Sequence, residues 1–335
     1  MKHYFKIILF FLICSFIEWS GITPAKKPAV SAEELKQWIS WLSSDDMHGR
    51  ANGSPEMKTA AMWISDKFRE NGVKQIPGCA DYIQNYSLVA RQKTLDERNV
   101  IGIIEGNDPL LKDQYIVISA HFDHIGIRKG SKPDSICNGA DDNAAGTCTL
   151  IGIAKTIKML NLKPGRSIVL AAFSGEELGM RGSRYFVSNP PVPLKNIYTD
   201  INFEMTGHSE LLGRNNYYMT GCRFSNLDDL IGEFNKGKEY RLIDTIELAN
   251  QLFFASDNIA FSRISSKNAI TTGIPSGTFA TSTMAEYLHT VKDEASLFDF
   301  ENYASLVSYF TDMVIWLSHD KAEIKWTNEN YSRPN

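Results

Sequence analysis

The feature that most constrains the fold is an alternation in the middle of the chain, where short β-branched stretches take turns with longer amphipathic ones. Asn99 to Ile104, Gln114 to Ala120, Ser167 to Phe173 and Ile197 to Phe203 read as strands, and a later strand is expected near Ala269 to Thr272. Ala144 to Leu160, Glu177 to Val187, Phe224 to Phe234 and Leu297 to Leu317 carry helical spacing. Strands separated by helices are joined by crossovers, which favour parallel neighbours and lay helices over the sheet. The expected fold is α/β: a single domain with a central mixed, mainly parallel β-sheet flanked by helices on both faces. With 335 residues, 43% of them hydrophobic, the chain can fill such a core.

Residues 31–98 are expected to be N-terminal helices packed on that core. Leu35, Trp38, Ile39 and Leu42 share one stripe, and a second helix after Pro55 turns Ala60, Ala61, Ile64 and Phe68 inward before Asn71-Gly72. No linker divides residues 31–320, and 321–335 reads as a polar surface tail. Ahead of all this, the apolar run Ile7 to Ile17 follows Lys2 and Lys6. A membrane span needs about 20 residues, so the run fits a signal peptide over residues 1–20. The protein is expected to be exported, periplasmic or extracellular, with no membrane span in the mature chain; an uncleaved anchor or a lipid on Cys14 is the alternative. The 35 Lys+Arg against 39 Asp+Glu exclude the basic excess of a general nucleic-acid binder. Beyond the leader, Cys79, Cys137, Cys148 and Cys222 are too sparse for a disulfide scaffold and form no CxxC pair.

In such a sheet, ligands bind beyond the carboxyl ends of the strands. His121-Phe122-Asp123, Gly175-Glu176-Glu177 and Glu204 all follow expected strands. In extended chain His121 and Asp123 face the same way, as a metal ligand and its carboxylate partner do, although a capping Asp beside a surface His reads the same. His124 adds a second candidate imidazole. In Asn138 through Gly146, Asp142 is either a metal-bridging carboxylate or part of an ordinary N-cap. Glu176 and Glu177 complement a helix dipole or diverge, one toward metal and one toward a substrate water. Glu204 and His289 are unremarkable alone. Together, His121, Asp142, Glu177, Glu204 and His289 supply two imidazoles and three carboxylates as metal donors, with Glu176 left for proton transfer. Such nitrogen and oxygen donors without cysteine suit catalytic zinc, with cobalt or manganese as substitutes.

These segments resemble the secreted zinc-dependent aminopeptidases related to bacterial leucyl aminopeptidase, a family of co-catalytic metallopeptidases. The resemblance runs from about Leu42 to Leu317. It rests on Leu42 to Asp45, Gly49-Arg50, Ala120 to Gly126, Asn138 to Gly146, Phe173 to Gly179, Ile201 to Gly207 and Leu288 to Thr290. It implies the α/β/α sandwich of zinc peptidases, two zinc ions, and a peptide substrate with a free N-terminus whose first peptide bond is hydrolysed. His121, Asp142 and Glu204 would hold one ion; Asp142, Glu177 and His289 would hold the other, with Asp142 bridging. Glu176 would be the general base, Asp123 would orient His121, and the Asp142–Asn143 peptide would be cis. Two departures stand out: Glu204 replaces a common aspartate, and Ser256-Asp257-Asn258 stands where Ser-Asp-His is frequent. Alternatives on the same scaffold are an exopeptidase for dipeptides, C-terminal residues or amino-acid conjugates, a single-zinc glutaminyl cyclase, and an inactive binding module. Phe253, Phe254, Phe261 and Phe279 either line a hydrophobic substrate pocket or belong to the core.

Overall fold

The computed structural model describes residues 28–327 apart from 91, 129, 131–133, 210–211, 246–248, 265–272 and 284–285. The signal peptide expected over residues 1–20 and the strand expected near Ala269 to Thr272 lie outside the described residues. The longer strands are β1 (Ile83–Ala90), β2 (Lys93–Ile104), β3 (Tyr115–His121), β4 (Ser167–Phe173), β5 (Ile197–Phe203), β6 (Asn216–Met219) and β7 (Ser276–Ala280). The longer helices are α1 (Ala32–Leu42), α2 (Pro55–Glu70), α3 (Gly146–Met159), α4 (Arg181–Ser188), α5 (Leu227–Asn235) and α6 (Phe300–His319).

With two-residue strands at Lys74–Gln75 and Arg241–Leu242, the longer strands form one nine-stranded sheet. Its centre is parallel, in the order β4-β3-β5-β7. β2 joins antiparallel beside β4, β1 folds back on β2 as a hairpin, and β6 runs antiparallel to β7. The sheet is therefore mixed and mainly parallel at its core, as the alternation implies. β3 and β4 are sealed from water on both faces because helices cover both. Side chains alternate between the layers. Ile116, Ile118, Leu170 and Ala172 pack toward α1, α3 and α6, while Val117, Val169, Ala171 and Phe173 pack with Phe186 and Phe261 on the opposite face. Truncating a fully buried phenylalanine such as Phe173 to Ala is expected to cost about 3–5 kcal/mol.

The N-terminal helices begin where the sequence provides caps. Ser31 Oγ accepts from Glu34 N, and Ser54 Oγ accepts from Met57 N just ahead of Pro55. Residues 31–98 are not helices alone, however. They also supply β1 and the first half of β2, whose buried positions Gln84, Tyr86 and Leu88 mix polar with apolar residues and so hide the period of two. The helix expected from Glu177 begins at Arg181 instead. Gly175, Gly179 and Met180 take positive φ angles, which leaves Glu176 and Glu177 on an irregular turn. The tail is also less free than its composition suggests: Ile324 is buried, and Trp326 Nε1 donates to Gly273 O at 2.8 Å. Among the described residues no helix is long and apolar enough to cross a membrane, and the four cysteines are buried and free.

Chain order makes β3 the switch point of the sheet, because β4 flanks it on one side and β5 on the other. The register brings the strand ends level: His121 pairs with Phe173, Ser119 with Asn202, and Phe203 with Phe279. The residues that follow these strands therefore open onto the same edge.

Candidate metal centre

Each polar side chain at that edge is carried there by a backbone feature. β3 ends at His121, and the next residues are anchored by Arg50, which is fully buried. Its guanidinium donates to Phe122 O at 2.8 Å, Leu42 O at 2.7 Å, Asn138 O at 2.8 Å and Gly139 O at 2.8 Å. Burial pulls the Arg50 pKa down to about 10, while the charges of Asp293, Asp142 and Asp123 oppose that shift. Gly139 sits at φ +60, where a Cβ would meet Asp142 O at 2.4 Å and the His124 ring at 2.6 Å. Only glycine fits this turn. The Asp293 carboxylate then holds the backbone two and three residues on, accepting from Asp141 N at 2.8 Å and Asp142 N at 3.0 Å. The Asp142–Asn143 peptide is cis.

The turn after β4 is fixed by Asp123. Its two carboxylate oxygens accept from Glu176 N at 3.1 Å and Glu177 N at 3.2 Å, and Asn52 Nδ2 adds a bond of 2.6 Å. Toward His121 Nδ1, the nearer acceptor is the Asp123 backbone carbonyl at 3.1 Å; the carboxylate stands at 3.7 Å. Gly175, at φ +73, lets the chain pass Tyr86 Oη and the Arg181 Cβ, which an added methyl would approach to 2.9 and 3.0 Å.

The donors gather into two groups that share Asp142. His121, Asp142 and Glu204 form one; His124, Asp142, Glu177 and His289 form the other. In the first, His121 Nε2 lies 3.3 Å from Asp142 Oδ1. In the second, His289 Nε2 lies 3.2 Å from both Asp142 Oδ2 and Glu177 Oε1. All five residues expected as metal donors, which run from His121 to His289 along the chain, are thus brought together. His124, left undecided by the sequence, lies among them. Glu204 also accepts a hydrogen bond from Ser256 Oγ.

The electrostatics are those of a site built around positive charge. Burial opposes ionisation of Asp142, but His124, His121 and His289 outweigh it and hold the carboxyl well below its ordinary range. Glu177 is lowered in the same way by His124 and His289 against burial. The contacts with Asp142 and Glu177 push His289 up to about 10. Glu176 and Glu204 behave oppositely: burial, with repulsion from Glu204 and Asp257, raises Glu176 well above its usual value, and burial, with repulsion from Asp142 and Asp257, raises Glu204 to about 7. Four candidate donor atoms of these groups are buried without any hydrogen-bond partner: His121 Nε2, both ring nitrogens of His124, and Glu177 Oε1. Unpaired buried polar atoms cost about 1–3 kcal/mol each and are rare. Their convergence, with imidazole and carboxylate donors and no thiolate, fits two divalent cations such as zinc.

A cavity of about 230 Å³ lies against this cluster, with Glu176 and Glu204 on its polar wall and Leu252, Ala255, Ala280 and Leu288 among its apolar lining. The phenylalanines weighed for this role do not form the wall. Phe253, Phe261 and Phe279 are fully buried core residues, and Phe254 is partly exposed elsewhere. Asn258 does not line the cavity either: its amide donates to Phe253 O and accepts from Thr278 Oγ1. The sequence carried no local signal for the small apolar lining, nor for the anchoring roles of Arg50 and Asp293.

Residues 99–313 match the model of Peptidase family M28. The chain is 25% identical over 294 residues to leucine aminopeptidase 1 of Trichophyton equinum, which spans 84% of this chain and 73% of that one. The zinc aminopeptidase BSAP of Bacillus subtilis superposes with a TM-score of 0.60 at 16% identity, over 86% of this chain and 95% of its own. A glutaminyl cyclase of Bacteroides thetaiotaomicron bound to N-acetylhistamine superposes with a TM-score of 0.63 at 18% identity, over 88% and 100%. At these identities the two structures share the fold with this chain.

Proposed function

The chain belongs to peptidase family M28, and on that premise we propose that it is a di-zinc aminopeptidase that hydrolyses the first peptide bond of substrates with a free N-terminus. The observation that carries the reading is the pair of donor groups sharing Asp142 beside Glu176 and an apolar cavity. His121, Asp142 and Glu204 hold one ion in this proposal, and Asp142, Glu177 and His289 the other. When bound, the pair supplies Lewis acidity toward the scissile carbonyl and makes water a better nucleophile near neutral pH. Glu176 takes the proton from the attacking water and returns it to the leaving amine. Its raised proton affinity and its place on the cavity wall support that role. Asp123 acts as a positioning residue, since its carboxylate fixes the backbone of both glutamates. The substrate ammonium rests beside Glu204, and the first side chain enters the cavity between Leu252 and Leu288. Catalysis belongs to residues 31–320, and export directed by residues 1–20 is part of the same proposal.

The test is a panel of aminoacyl fluorogenic substrates and their N-acetylated forms, run with and without a chelator, beside an N-terminal glutaminyl peptide. Hydrolysis of leucyl substrates, lost on acetylation and on metal removal, is expected. Undiminished turnover without metal, cleavage that ignores acetylation, or cyclisation of the glutaminyl peptide with no leucine release would each overturn the assignment.

A further inference from the structure

The buried imidazole of His124 has no place among the five donors the resemblance supplies, yet the fold fixes it as firmly as any of them. Its ring is sealed from solvent, lies against Gly139 where a side chain would collide with it, and meets His289 edge-on at 5.6 Å between centroids. Its backbone N–H is tied to Arg50 O at 3.1 Å. His124 Nδ1 stands 2.9 Å from Glu177 Oε1 and 3.5 Å from Asp142 Oδ2, but neither Nδ1 nor Glu177 Oε1 makes a hydrogen bond. Close approach without hydrogen-bond alignment is what two donors show when both point at a third body between them.

We infer that His124 is a direct ligand of the second ion, so that this position is closed by four protein donors while the first keeps an open coordination place. This rests on the di-metal reading above and deepens it. Tetrahedral zinc with bonds of about 2.0–2.2 Å separates its donor atoms by about 3.3–3.6 Å. Here four of the six separations among His124 Nδ1, His289 Nε2, Asp142 Oδ2 and Glu177 Oε1 are 2.9, 3.2, 3.2 and 3.5 Å. One falls within that range and the other three lie just below it, a ring of donors slightly tighter than the coordinated edge. Among the described residues the first position draws only His121, Asp142 and Glu204. Three protein donors leave room for water or substrate, which is the arrangement of a catalytic ion, whereas four make a holding site.

The two positions should consequently load in order. The His124 position fills first and retains its ion, and the His121–Glu204 position exchanges more readily. The test combines a zinc titration of apoprotein against a competing chelator with X-ray absorption of the full chain loaded with one equivalent. Wild-type protein is expected to show two affinity classes, and the first equivalent to show two imidazoles per zinc. His124→Ala should weaken the tight class at least tenfold while leaving a second zinc class, and His124→Asn should recover part of that loss. Circular dichroism of the apo variants separates misfolding from lost ligation, and the absorption measurement needs no variant. One imidazole on the first zinc, or an unchanged tight class in folded His124→Ala, overturns the inference yet leaves two metal sites and the peptidase reading intact. Failure of the wild type to bind zinc at either position overturns both.

Discussion

Two buried polar clusters stand side by side at the carboxyl edge of the sheet, and they are finished differently. In the first, Arg50 spends its donors on four backbone carbonyls and Asp293 accepts two backbone N–H groups, so neither side chain keeps an unpaired buried atom. In the second, His121, His124 and Glu177 each keep a ligating atom with no partner. His121 and His124 are as deeply buried as Arg50 and Asp293, so burial alone does not separate support from chemistry. What separates them is completion: a brace is satisfied within the protein, and a reactive centre waits for something to be added.

Metal removal tests that contrast most severely. Chelation should abolish turnover and lower the melting temperature, because an ion that binds only the native state adds stability through its own binding free energy. A melt unchanged by chelation would show that the unpaired donors need no ion. Next in size, Glu176→Gln should lower kcat by about 10²–10⁴-fold, the span typical of general acid–base catalysis. Zinc content measured on the same sample should stay at the wild-type level, since Glu176 belongs to neither donor group.

Arg50→Met attacks the completed cluster instead. Removing the charge leaves four carbonyls unserved and should cost about 3–5 kcal/mol in chemical denaturation, as breaking a buried charged network does. Equal stability to wild type would mean the brace is ornamental. Asp293→Asn keeps one acceptor of the two and should cost about 1–3 kcal/mol, with a loss of zinc affinity as the Asp142 backbone loosens. The smallest effect is expected at the cavity. Leu288→Ala should raise KM for leucyl substrates by several-fold at constant fold stability, because Leu288 is only half-buried and its contact is worth the burial of one methylene, about 0.8 kcal/mol. A variant with unchanged preference would move the first-residue pocket elsewhere.

The contrast also explains what a reader of the sequence can and cannot see. β3 and β4 were legible because strands buried on both faces are nearly continuous apolar runs, and β5 was legible from Ile197, Ile201 and Phe203 despite the buried Thr199, Asp200 and Asn202. The β1–β2 hairpin was not, since Gln84 and Glu97 are buried within it and blur the alternation. His121, Asp142, Glu177, Glu204 and His289 were legible as a set only because strand ends and a family pattern picked them out. His124 was not resolved, because adjacency to Asp123 says nothing about depth, and its position is made by Gly139 and His289 far along the chain. The phenylalanines left two readings open, pocket or core; Phe253, Phe261 and Phe279 take the core, and smaller side chains leave the space a ligand can use.

Asp142 belongs to both donor groups, one oxygen facing each. That makes it the keystone of any change in this lineage of sequences. On the proposed ligation, mutation at Glu204 or His124 would retune one seat and spare its neighbour, so descendants with a single ion or a new reaction would be reachable by small steps from the periphery. Loss of the shared carboxylate would empty both seats at a stroke, and selection is expected to tolerate drift everywhere around it before tolerating drift there.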